Sequence, residues 1–135
     1  MDCVETKPGN ECWFPVSVKG AHFFAGDAHA SQGDGELTGV ALEIPARVTV
    51  TFTVKKGYKI GWPRIVSDDF IMVAGSAHPL IAAGRIAWVE LIDWMVADYG
   101  FDRMKTYHLL GQMRLGNMVD PKYTMVAKCP RKYLE

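Results

Sequence analysis

The chain has 135 residues, with fifteen basic and fifteen acidic side chains, so its formal net charge is zero. Apolar residues make up 49% and charged residues 22%, the balance of a single globular domain, which excludes a disordered chain and a disulfide-built mini-domain. Without net positive charge, a general grip on nucleic acid is not expected, and Lys55-Lys56 and Lys128 to Lys132 are too short and isolated to supply one.

The opening Met1-Asp2-Cys3-Val4-Glu5 is polar and acidic, not a basic stretch leading into an apolar run, so no secretory leader is expected. Three cysteines without C-x-x-C spacing read as reduced thiols, and a cytoplasmic location is expected. Residues 11 to about 75 read as mostly antiparallel sheet. Glu11 to Val18 and His22 to Ala25 are short apolar runs. Arg47 to Val54 alternates strictly, with Val48, Val50, Phe52 and Val54 against Arg47, Thr49, Thr51 and Thr53, and predicts a strand with one wet face. Lys55-Lys56-Gly57 predicts a hairpin turn, and Phe70 to Ala74 a buried strand.

The rest reads as helical. A first helix is predicted over 79–99, with Trp88, Leu91, Ile92, Met95 and Tyr99 at helical spacing and Gly100 as a left-handed cap. Its interruption by Arg85, Glu90 and Asp93 argues against a membrane span. A second is predicted over 102–115, capped by Asp102, with Met104, Tyr107, Leu110 and Met113 inward. Asp120-Pro121 is read as stopping it or following its stop, and Tyr123 to Ala127 as a short last strand. Strands followed by helices, without βαβ alternation, predict one α+β domain over 1–135. Trp13, Trp62, Trp88 and Trp94 read as packing, His22 as structural, His78 as a turn residue and His108 as core or interface. Asp68-Asp69 reads as a solvated turn.

One loop carries chemistry. Gly26-Asp27-Ala28-His29-Ala30-Ser31-Gln32-Gly33-Asp34-Gly35-Glu36 holds three carboxylates, an imidazole and a carboxamide, with Glu43 shortly after. Carboxylate and imidazole donors together suit zinc, an oxygen-rich subset suits calcium, and the glycines allow the turns that let side chains converge. The same composition also describes a plain polar loop, and the residues alone leave both readings open.

The run GDAHASQGDGELTGVALE closely resembles the acetamidase/formamidase signature GDxHAxQGDGExxGTAIE. The similarity extends upstream through Asp2, Pro8-Gly9 and Phe14-Pro15-Val16 to Gly20-Ala21. Downstream it takes in Arg114-Leu115-Gly116-Asn117-Met118-Val119-Asp120-Pro121 and Cys129-Pro130-Arg131. Ala28 stands where the family usually has cysteine or glycine, and Val40 where it has threonine; neither change removes a candidate ligand.

The resemblance implies hydrolysis of short amides such as formamide and acetamide to a carboxylate and ammonia, with a divalent metal, zinc or calcium. By position it implies Asp27, His29, Gln32, Asp34, Glu43 and Asp2 as metal ligands. Glu36, Asp34 and His29 become the catalytic candidates, with Glu36 as base or proton shuttle. Gln32, Gly33 and Gly35 would face substrate. It also implies that the sequence matches only the C-terminal half of a family enzyme. Three readings follow: a self-sufficient or homo-oligomeric amidase, a metal- or ligand-binding unit without turnover, or a subunit completed by a separate chain with the N-terminal half. No nucleic-acid or membrane partner is expected.

Overall fold

The structure, a computed structural model, describes residues 3–113, 116–120 and 123–135, with 116–120 described through backbone pairing. Its centre is a five-stranded antiparallel sheet of order β1-β4-β5-β7-β6: β1 Glu11–Trp13, β4 Arg64–Val66, β5 Phe70–Ser76, β6 Gly116–Asp120 and β7 Thr124–Pro130. The pair β2 His29–Ser31 and β3 Leu42–Glu43 forms a separate small hairpin. Two helices, α1 Leu80–Tyr99 and α2 Arg103–Gly111, lie between β5 and β6 in sequence. The α+β arrangement is as expected.

The central strand β5 is buried on both faces, which is why it reads as a continuous apolar run. Ile71 and Val73 join Ala127 and Cys129 of β7 beneath Ala87, Leu91, Trp94 and Met95 of α1. Met72 and Ala74 pack with Ile65 and Val126 on the opposite face, which Cys3, Val4 and Cys12 cover. Lys128 Nζ binds Glu5 Oε1 at 3.0 Å and fastens that covering segment. The helix comes closest to the sheet at Gly75, where a Cβ would lie 2.5 Å from Ala83 O and 2.7 Å from Ala87 N. All three cysteines are free thiols, and burial raises that of Cys129 to about 11.

Helix ends follow the local chemistry. Gly100 takes φ 71° and caps α1, its N–H bonding Met95 O. The Asp102 side chain accepts from Lys105 N and opens α2. A polar network around the buried Arg64 ties the segment before β4 to α1. Trp94 Nε1 donates to Asp98 Oδ2 at 2.9 Å, Tyr58 donates its hydroxyl to the same oxygen, and Arg64 donates to Tyr58 Oη at 2.6 Å. Trp13 packs against Trp94 with ring centroids 5.4 Å apart, and Trp62 and Trp88 join the same core, so the tryptophans are packing residues.

Several elements differ from expectation. Arg47 to Val54 forms no strand, and Val48, Val50, Phe52 and Val54 are all exposed. Alternation gives such a segment two faces, but a strand also needs a neighbour for its backbone, and the described residues provide none. His22 to Ala25 is likewise outside the sheet, and Glu11 to Val18 keeps only β1. The turn at Lys55 to Tyr58 does form, Tyr58 N bonding Lys55 O at 3.4 Å. Helix α2 ends at Gly111, and the positions expected to continue it, Arg114 and Leu115, lie outside the described residues. Strand β6 stands where a helix stop was expected, and β7 runs to Pro130, longer than Tyr123 to Ala127. Met104 and Tyr107 face out, at 60% and 61% exposure, and His108 is exposed rather than core, because α2 meets α1 through Thr106 and Leu110.

Candidate metal centre

The loop is organised by turns. Glu36 N bonds Gly33 O and Gly39 N bonds Glu36 O, while Gly35 and Gly39 take φ 82° and 74°. Asp27 itself sits at φ 57°, in the left-handed region that Asp tolerates better than most side chains. The β2–β3 pairing then sets His29 directly opposite Glu43, with a register shift between His29 and Ser31. Ile44 N bonds Ala28 O at 3.0 Å and closes the hairpin beside them.

The result is a cluster of three donors. His29 Nε2 is 2.9 Å from Glu43 Oε1 and 3.5 Å from Asp27 Oδ1, and the three donor atoms lie within 4.8 Å of one another. The imidazole is 7% exposed, whereas the Asp27 and Glu43 side chains are 59% and 51% exposed, so the cluster opens to solvent on its carboxylate side. His29 Nδ1 lies 3.0 Å from Gln32 Oε1. An amide oxygen only accepts, so Nδ1 carries the proton in that contact. In the neutral ring this leaves the Nε2 lone pair aimed at two carboxylates, an arrangement that a cation or a second proton must relieve. Consistently, the Gln32 bond first, then Glu43 and Asp27, raise the His29 pKa above 6.5, with burial opposing them.

The donor set fits a divalent cation. One imidazole and two carboxylates match the nitrogen and oxygen ligands of zinc, whereas calcium takes oxygen alone. Gln32 positions the imidazole through its other nitrogen, and the Gln32 Nε2 is buried without a partner among the described residues. Asp34 and Glu36 share the loop but not the cluster, because Glu36 is taken up in the turns after Gly33. Gly33 and Gly35 shape those turns. Asp2 lies outside the described residues. The Tyr58–Asp98–Arg64 network had no sequence signal, since its members are 6 to 40 residues apart and share no spacing rule.

Comparison with known proteins places this α+β unit in a family. The family described as acetamidase/formamidase matches over residues 1–132, and the chain belongs to that family. The acetamidase of Yersinia enterocolitica is similar in structure, at 40% identity and a TM-score of 0.84, over 100% of this chain and 42% of that one. An acetamidase from Bacillus halodurans gives 30% identity and a TM-score of 0.83, over 94% of this chain and 44% of that one. A predicted acetamidase/formamidase from Thermoanaerobacter tengcongensis gives 27% and 0.73, over 93% and 43%. The chain thus spans less than half the length of these solved relatives. No curated protein matches it. No helix among the described residues is long and apolar enough to cross a membrane.

Proposed function

We propose that the chain carries the metal-binding part of an amidase that hydrolyses short linear amides to a carboxylate and ammonia. The observation that carries this reading is the convergence of Asp27, His29 and Glu43, within the loop where the sequence most resembles the family. Those three residues would hold the ion, and the mixed donor set favours zinc over calcium. A bound divalent ion supplies polarisation of the amide carbonyl and a water acidified toward neutrality. The chain's own residues orient and exchange protons. Gln32 fixes the His29 tautomer and leaves a free amide donor beside the site. Asp34 and Glu36, outside the donor cluster, remain the candidates to accept a proton from water and pass it to the departing nitrogen. Gly33 and Gly35 keep the backbone close to the substrate side of the loop.

The test is ammonia release from formamide and acetamide by the purified chain, with zinc or calcium added. Turnover that depends on the metal and disappears in Asp27→Ala and His29→Ala supports the reading. Tight zinc binding without ammonia supports a metal-binding unit instead. The relatives' greater length motivates a further arm, in which a chain carrying the N-terminal half of a relative is added to the assay.

A further inference from the structure

The exposed apolar surface is concentrated in one part of the chain. Among the described residues, fourteen of the twenty-one exposed large apolar side chains fall between Phe14 and Tyr58. They include Phe24 at 88%, Leu37 at 93%, Phe52 at 66% and Val54 at 79% exposure. Phe23 and Phe52 meet edge to face with centroids 4.9 Å apart, so two stretches of this region share one surface. A solvated monomer rarely leaves so much apolar surface in one region without a partner for it.

The same region has unmet backbone demand. Arg47 to Val54 has the strict alternation of a strand, yet makes no backbone hydrogen bond to another described residue. Eight consecutive residues with strand patterning and a free backbone form a template for strand addition. The segment begins four residues after Glu43, the last residue of β3.

We infer that Arg47 to Val54 is a docking strand that pairs edge to edge with the part of an acetamidase/formamidase polypeptide that this sequence does not contain. The relatives supply the argument for that occupant. Their folds match this chain closely, yet more than half of each lies beyond the match. In the docked state Val48, Val50, Phe52 and Val54 face the partner's core, and Arg47, Thr49, Thr51 and Thr53 face water. The inference rests on family membership and not on the metal reading, so docking and metal titration fail independently.

The experiment co-expresses the full chain with the part of the Yersinia enterocolitica acetamidase that has no counterpart here. The expected result is a one-to-one complex by light scattering, with amide hydrogen exchange over 47–54 slowed at least tenfold relative to the chain alone. Thr51→Pro removes a backbone donor, and Phe52→Lys charges the apolar face. Neither disturbs a hydrogen bond within this chain, and each weakens the complex at least tenfold, while Tyr107→Lys on α2 does not. Absence of a complex overturns the inference, as does a complex that leaves 47–54 unprotected. Self-association that protects 47–54 equally well overturns it too, because a second copy would then be the occupant.

Discussion

His29 Nε2 and Glu43 Oε1 lie 2.9 Å apart although fourteen residues separate them in sequence. The contact exists because β2 and β3 place the two residues as a directly opposed pair, where side chains on one face are closest. With Asp27 added, zinc titration by calorimetry should give one site per chain. Gln32→Leu leaves the ligands in place but frees the imidazole, and should weaken zinc by about 10- to 100-fold. His29→Ala should weaken it more than that, and Asp34→Asn and Glu36→Gln should leave it within about threefold, since neither joins the cluster. Equal losses at Asp34 and His29 would mean that the loop rearranges on binding and that the ligand set is different.

The close approach of α1 to the sheet is set by Gly75. A Cβ there would lie 2.5 Å from the Ala83 carbonyl oxygen, which is backbone and has no rotamer to change. Gly75→Ala should therefore force the helix outward and cost about 1–3 kcal/mol, the usual range for overpacking. For a chain of this size that lowers the Tm by roughly 4–12 °C. Gly111→Ala is the comparison, because nothing lies within 4 Å of its Cβ position and the residue is helical. It should leave the Tm unchanged or raise it slightly. A Gly75→Ala chain that melts with the wild type would show that α1 is free to move on the sheet.

The sequence was most informative where one residue's own chemistry decides the outcome. Gly100 and Asp102 announced their caps, and the apolar run at Phe70 announced a strand buried on both faces. The cluster residues Asp27 and His29 and the more distant Glu43 were legible from the family motif, and their convergence needed only a hairpin. What could not be read was pairing. Arg47 to Val54 is strand-like by pattern, but no described residue pairs with its backbone, so the alternation predicted an element that does not form here. In the other direction β6 carries no clean alternation, and it becomes a strand by pairing with β7, which β5 in turn holds at its edge. Met104 and Tyr107 kept helical spacing but lie on the exposed side of α2, since a short helix buries a narrow stripe.

Capping at α2 is open to a direct check. The Asp102 carboxylate accepts from Lys105 N at 2.9 Å, and Thr106 Oγ1 returns to Asp102 O at 2.8 Å. The helix spans only nine residues, too few to be stable without its caps and its contact with α1. Asp102→Ala should cost about 0.5–2 kcal/mol, and Asp102→Asn or Asp102→Ser should recover most of it. Denaturant melts read this as a lower midpoint with an unchanged slope. A loss that Asn does not recover would mean that the charge, not the hydrogen bond, holds the helix start.

Tyr58 should ionise well above the usual tyrosine range. Burial first, and then the bond to Asp98, push its hydroxyl from 10 up to about 12, with Arg64 partly opposing them. Tyr99 is raised as well, also chiefly by burial. The sign for stability follows from where the proton sits. Between pH 10 and about 12 the folded state keeps a proton that the unfolded chain has released, so the contribution is intact below pH 10 and is lost as pH rises toward 12. Tyrosinate absorbance against pH should show this late phase in the wild type and a smaller one in Tyr58→Phe. The variant's midpoint for denaturation should also fall less steeply over the same pH interval. A late phase of undiminished size in Tyr58→Phe would assign the high pKa to Tyr99 and leave the Tyr58–Asp98 bond as an ordinary surface contact.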